Sequence, residues 1–392
     1  MRYIYSFLLS FLIVYFVTDI SFIIREKLPI IDDYLYGRRF PTISKSSTPI
    51  LIVEIDDETV ERHGFLPYKR SLYGEVISRI LEGKPKVLGI DIFFYKIRDL
   101  KDDIKLIKIL ENAKSNVVLA YEKDEFGMFL LNQINHETKE KLYENNDNVT
   151  FANIKTGYVS YNNEDIATDV DYDINNDKYY LPFPIEVVSR YLGGKAYNPY
   201  GDHEFDFSSP GIRYCKLGNI AIPSFYKSIF YYYTLINYTD RKFPSIPFWK
   251  VKDVEPAVFK DKIVLIAATA HPLGDIHSTP ISKKMHGIYN HAHVIDMLLN
   301  GNFITPIEQK YQKVLTFLTA FVISLITLTL KRLPAFGVTI FSIIVIKLVT
   351  DMLFYNYLLY MYFAPFLFAI LLAHLMVIVY INILDVVSEV ST

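Results

Sequence analysis

The chain has 392 residues, 41 Lys and Arg against 43 Asp and Glu, and 51% hydrophobic residues, with a mean hydropathy of +0.19. That balance is too apolar for an ordinary water-soluble enzyme and too polar for a chain made only of membrane helices, so one part is expected in lipid and another in water. A formal net charge of −2 offers no basic stripe to a nucleic-acid backbone, and the single cysteine, Cys215, excludes an intrachain disulfide framework and a cysteine-built zinc site.

Residues 4–24 read IYSFLLSFLIVYFVTDISFII, long enough at about 1.5 Å per residue to cross a hydrocarbon layer about 30 Å thick. Asp19 stands where a leader would be cleaved and no small-x-small site follows, so 1–24 is expected to remain as a membrane helix.

The block 25–310 is predicted to be water-facing and α/β. Ile50–Ile55 (ILIVEI) is a continuous apolar strand ending in Asp56-Asp57; Arg70–Leu81 has helical spacing at Leu72, Val76, Ile77, Ile80 and Leu81. Lys86–Ile92 (KVLGIDI) is the next strand, Asp102–Leu110 a helix, and Asn116–Tyr121 (NVVLAY) a third strand. Asn132–Asp177 is crowded with Asn, Asp, Glu and Lys and reads as loops or an insertion. Pro184–Leu192 looks helical, Tyr231–Tyr238 is rich in β-formers, Lys262–Ala268 is the last buried strand, and Gly287–Asn300 is a helix closed by Gly301. Buried strands alternating with helices predict a largely parallel sheet. Asp56 and Asp57, Asp91 and the loop Thr269–Thr279 follow three of those strands; if the strands are neighbours, their ends share the rim where open α/β sheets bind ligands. The alternative for each aspartate is a helix cap or turn.

Three apolar stretches close the chain. Val314–Leu330 is uncharged and stops at Lys331-Arg332; Pro334 to about Tyr355 and Leu358–Leu384 follow, separated by Asn356, with Pro365 inside the last. The spans are set at 311–332, 333–356 and 357–385, with a short cytoplasmic tail at 386–392. Lys331-Arg332 is the short basic loop between spans, and with Arg2 it belongs on the cytoplasmic side, which puts 25–310 outside and both termini inside. Asp19, Lys347 and Asp351 lie within these helices: Asp19 is in reach of Lys347 across helices, and Lys347 and Asp351 can instead neutralise each other at i and i+4. His374 is expected to hydrogen-bond in helix packing.

Three segments together resemble the type-two CHASE domain, the extracytoplasmic sensory module of bacterial cyclases and histidine kinases. The first is ILIVEIDDETVERHGFLPYKRSLYGEVISRIL, with Asp56, Asp57, Gly64, Pro67 and Arg70 at the motif positions. The second is KVLGIDIFF with Asp91. The third runs from FKDKIVLIAA through Asp275, Thr279 and Pro280 to Gly287, His291 and Ala292. Ala267 stands where the family has a glycine, His286 where a proline is common, and the family's Asp-Gly-x-x-Arg segment is not recognisable in DVDYDINNDKYY. Rim and motifs together make Asp56, Asp57, Arg70, Asp91, Asp275, Thr279 and His291 the candidate ligand-binding set.

Five histidines, His271, His277, His286, His291 and His293, crowd one stretch. With Asp275, His271 and His277 are weak metal candidates, and protonation in mild acid is the other use of such a cluster. The run Asp169, Asp171, Asp173, Asn175, Asp177 alternates oxygens as a calcium loop does but lacks its central glycine and distal Glu, so a solvated loop is expected. No nucleophile elbow, phosphate-cradling loop or metalloprotease helix is recognisable, so neither catalytic residues nor a cofactor are expected. The chain stops eight residues after Leu384, so the resemblance implies a bilayer-anchored bacterial inner-membrane receptor without its own effector domain, signalling through a cytoplasmic or membrane partner in trans. Homodimerisation is left open. The alternative is an assembly subunit whose α/β domain, with Tyr231–Tyr233, docks another envelope protein.

Overall fold

The computed structural model describes residues 2–390 apart from 28–29, 38, 40, 45, 95–98, 114–115, 124–128, 131–154, 159–164, 168–170, 174–177, 199–211, 229–230 and 274. It divides into two compact units, 1–39 with 304–392, and 40–303. Helices α1 (Arg2–Lys27) and α2 (Ile30–Tyr36) open the chain. Helices α3 (Asp57–His63), α4 (Arg70–Glu82), α5 (Leu100–Asn112), α6 (Phe183–Tyr191) and α7 (Gly287–Asn300) belong to the 40–303 unit. Helices α8 (Gln309–Thr329), α9 (Arg332–Tyr357) and α10 (Ala364–Val390) close the chain.

The main sheet is built from β1 (Ile50–Ile55), β2 (Val87–Asp91), β3 (Val117–Lys123), β4 (Lys155–Tyr158), β5 (Asp171–Asp173), β6 (Lys178–Pro182), β7 (Ser245–Pro247) and β8 (Ile263–Ala268). Its order is β7-β1-β8-β2-β3-β4-β6-β5, with Phe129–Leu130 paired to β3. Every pairing from β7 to β6 is parallel, and β5 is antiparallel on its edge. Alternate residues of each inner strand face opposite layers. Leu51, Val53, Ile55, Leu88, Ile90, Val264 and Ile266 pack against Tyr73, Ile77 and Ile80 of α4 and Leu106, Ile107 and Leu110 of α5. Ile50, Ile52, Val87, Val118, Ile263 and Leu265 pack against Phe183 and Val187 of α6 and Ile288, Ala292 and Ile295 of α7. Burial on both faces is why these strands read as unbroken apolar runs. Gly89 lies where α6 approaches the sheet: a Cβ there would fall 2.8 Å from Leu265 Cδ2 and 2.9 Å from Phe183 Cζ.

Part of the stretch read as loops is strand. Lys155–Tyr158 pairs Val118↔Lys155 through Tyr121↔Tyr158 along β3; its place is set by the backbone groups β3 presents, not by an apolar pattern of its own. Asp171 and Asp173 sit in β5 opposite Tyr180 and Lys178, whereas Asp169, Asn175 and Asp177 of the calcium-like run lie outside the described residues. Tyr231–Leu235 belongs to a second, five-stranded sheet with 165–167, 220–228, 212–217 and 197–198, antiparallel throughout.

In the 1–39 and 304–392 unit, Gln309–Thr329, Arg332–Tyr357 and Ala364–Ile383 are each long and apolar enough to cross a membrane. Helix α1 packs with α8 and α10 through Val14, Val17, Ala320, Ala369 and Ala373, the three alanines being small enough to let α8 and α10 approach closely. The last of these helices begins at Ala364: Pro365 falls in its first turn, where a missing N–H costs nothing, and Leu359–Tyr360 before it pairs with Thr305–Pro306. Of the two pairings open to Lys347, the one along its own helix is present and the one with Asp19 is not. Asp19 reaches Lys313 of α8, the helix α1 packs against, at 3.0 Å, and Lys347 pairs with Asp351 one turn on along α9. His374 Nδ1 lies 2.9 Å from Thr339 Oγ1.

Candidate functional site

Strands β1, β8 and β2 are neighbours, which meets the condition on which their ends would share a rim. Register then decides which side chains face together. Glu54 pairs with Ala267 and Ala267 with Asp91, a row across three parallel strands on the α6–α7 side. Two strand spacings separate the carboxylate-bearing backbones by about 10 Å, with the Ala267 methyl as floor between them.

Helix α7 covers that row with two polar side chains. Tyr289 Oη donates to Glu54 Oε1 at 2.8 Å. Burial first, and the Glu54 carboxylate second, push the phenol far above its ordinary pKa, so it stays a donor. His291 Nε2 lies 3.9 Å from Asp91 Oδ2, with the imidazole 1% and the carboxylate 11% exposed, and its ring meets Phe183 edge-on at 5.0 Å. Burial, then the nearby His277, lowers His291 to about 3. It is therefore a neutral hydrogen-bonding group beside Asp91 and not the cation of an ion pair. The hairpin of Ile276–Thr279 and Ser282–His286 supplies the outer wall: His277 Nε2 lies 2.5 Å from Asp275 Oδ1, the two side chains 25% and 54% exposed. The Asp275 carbonyl accepts from Gly287 N at 2.8 Å, tying the hairpin to the start of α7.

The expected set divides. Asp91, Asp275 and His291 come together on this face. Arg70 lies across the sheet in the α4–α5 layer, 3% exposed, its Nε 2.9 Å from Asp103 Oδ1 and its guanidinium 4.7 Å from the Phe94 ring centre. Asp56 is the N-cap of α3, accepting from Thr59 N at 2.8 Å. Asp57 accepts from His271 N at 2.8 Å, joining the end of β1 to the loop after β8. Thr279 Oγ1 accepts from Ser282 N at 3.1 Å and closes the hairpin turn. Among the described residues no group of three His, Cys, Asp or Glu side chains converges as a metal would need, so His271, Asp275 and His277 do not form such a group there.

Glu54 and Tyr289 were not anticipated. The signal was present for Glu54, a lone carboxylate inside ILIVEI whose parity with Ile50 and Ile52 sets its face. For Tyr289 no local signal exists, because its partner lies 235 residues away. The result is a row of polar pairs, carboxylates with a phenol and a neutral imidazole, with hydrogen-bonding capacity at the strand ends.

The family model described as CHASE2 domain matches residues 8–329. No curated protein and no solved structure matches the chain.

Proposed function

The chain belongs to the CHASE2 domain family, and on that premise we propose that it is a membrane-anchored receptor whose extracytoplasmic α/β unit binds a small polar ligand over the Glu54–Ala267–Asp91 row. The proposal places it in the cytoplasmic membrane of a bacterium, with α1 as a fourth span beside α8, α9 and α10 and with 25–310 outside; the Lys331-Arg332 loop supports that orientation. It takes the protein to be a receptor and not an enzyme, handing its signal to a separate effector protein. The observation that carries the reading is placement: the Glu54–Tyr289 and Asp91–His291 pairs lie at the carboxyl ends of adjacent parallel strands, the place where open α/β sheets bind ligands, and the His277–Asp275 pair lies in the hairpin that leads into α7. A ligand can drive a response there only by binding two states of the unit unequally.

Co-purification of the full chain from mild detergent tests the reading. Capture of a kinase, cyclase or transcriptional regulator is the expected result. Capture only of a cell-wall-binding or secretion component replaces the receptor with a docking platform.

A further inference from the structure

Helix α10 has no cap of its own. The residues before it are Tyr362 and Phe363, whose side chains cannot accept from the orphan N–H groups of a first helical turn. Two distant side chains satisfy them. Asp32 Oδ1 accepts from Phe363 N at 2.8 Å and from Ala364 N at 3.1 Å. Gln312 Oε1 accepts from Tyr362 N at 3.0 Å while its Nε2 donates to Ile307 O at 2.6 Å. Both side chains are buried, Asp32 at 3% and Gln312 at 0% exposure.

Asp32 lies on α2, in the segment that runs into the 40–303 unit, and Gln312 lies in the first turn of α8, on the segment that leaves it. The leaving segment is also bonded through its backbone to the loop before α10: Thr305 N donates to Leu358 O at 2.8 Å and Ile307 N to Tyr360 O at 2.9 Å. Aromatic rings brace the joint. Arg25 stacks 3.6 Å over Tyr362 with its Nε 3.6 Å from Asp32 Oδ2, and Arg39 lies 4.1 Å from Phe354 and 4.9 Å from Tyr360.

Both covalent connections of the sensory unit thus end on three successive amides, those of Tyr362, Phe363 and Ala364, that lead into one membrane helix. We propose that this joint is where the signal enters the membrane: a shift of either connecting segment uncaps or recaps the first turn of α10, and α10 carries the change to its other end. The capped and uncapped turn are the two states such a device needs. The direction of transmission rests on the receptor reading; the joint itself does not.

The test uses the full chain in lipid nanodiscs, with hydrogen exchange read at the start of α10 and maleimide labelling of Val390→Cys read at its end. Cys215 is buried and stays silent. Asp32→Ala and Gln312→Ala are expected to speed exchange at residues 362–364 about tenfold or more and to change the labelling rate at residue 390 in the same direction as each other. Asp32→Asn keeps an acceptor oxygen and is expected to stay near the parent. A paired Thr305→Cys/Leu359→Cys variant, placed by the strand register, serves if the alanine variants fail to fold: oxidising it locks one segment, and adding reductant should shift labelling at residue 390 within the same sample. Unchanged exchange at 362–364 overturns the cap. Faster exchange there with no change at residue 390, or no redox effect in the locked variant, reduces the joint to a passive latch and overturns transmission. Neither outcome touches the co-purification result.

Discussion

At His291 and His293 burial outweighs the neighbouring charges. Both imidazoles are lowered to about 3, His291 by burial and then His277, His293 by burial and then Arg241. Their charge therefore does not change in mild acid while the unit is folded, and what pH alters is stability. Below the unfolded value of about 6.5 the unfolded chain binds a proton that the folded chain refuses, so each histidine removes about 1.4 kcal/mol per pH unit as pH falls from 6.5 toward 3, and nothing above about 7. His293→Leu is expected to flatten denaturant-derived stability against pH by about that slope, followed through the single tryptophan, Trp249; an unchanged slope would show His293 already protonated in the fold. Arg70 makes a second residue-scale case. Its pairing with Asp103 is dry on both sides, so Arg70→Leu strands a buried carboxylate and should cost about 3–5 kcal/mol, whereas Arg70→Leu with Asp103→Leu should recover more than half. A double variant no better than the single one would mean that packing under Phe94, not charge, is what Arg70 supplies.

Elements respond to space and to lipid. Gly89→Ala forces a methyl against Leu265 and Phe183 where α6 meets the sheet, and overpacking of that kind should cost about 1–3 kcal/mol in the same unfolding measurement. On α9, Lys347 and Asp351 are each about one third exposed, at 33% and 31%. Lys347→Leu leaves Asp351 without its counter-charge and should lower thermal stability in detergent, while the double leucine variant should restore it, because an uncompensated carboxylate is the costly species in a span. The same contrast explains what could be read beforehand. β1, β2, β3 and β8 are covered on both faces, so their buried residues run together and announce themselves; that β1, β8 and β2 are neighbours, the condition for a shared rim, is seen only in the sheet itself. β4, β5 and β7 owe their places to backbone pairing with a neighbour, and short polar segments such as KTGY carry no trace of that. The site was half legible for a related reason. Asp91, Asp275 and His291 follow strands or motifs, but which layer a helix joins and which strand residues align are settled by tertiary packing: α4 carries Arg70 to the opposite layer, and register sets Glu54 in one row with Asp91.

At the scale of the whole molecule, two units with different solvents share one chain, and orientation decides which solvent each meets. The Lys331-Arg332 pair sits in the short turn between α8 and α9, where basic residues weigh most, whereas charges spread through a folded unit such as 40–303 have little say. Holding that turn inside places Gln309 and Tyr357 at the outer surface and sends α10 inward. In the proposed topology the chain from Phe40 to Phe303 is then outside, and α1 crosses so that Arg2 lies with the other basic residues. Two variants, each with one introduced cysteine beside the buried Cys215, read this directly in spheroplasts. Glu58→Cys, on the exposed side of α3, should react with a membrane-impermeant maleimide in intact spheroplasts, and Lys331→Cys only after permeabilisation. The reverse pattern would put the polar row of Glu54, Asp91 and His291 in the cytoplasm and remove the reason for a joint that passes a signal inward through α10.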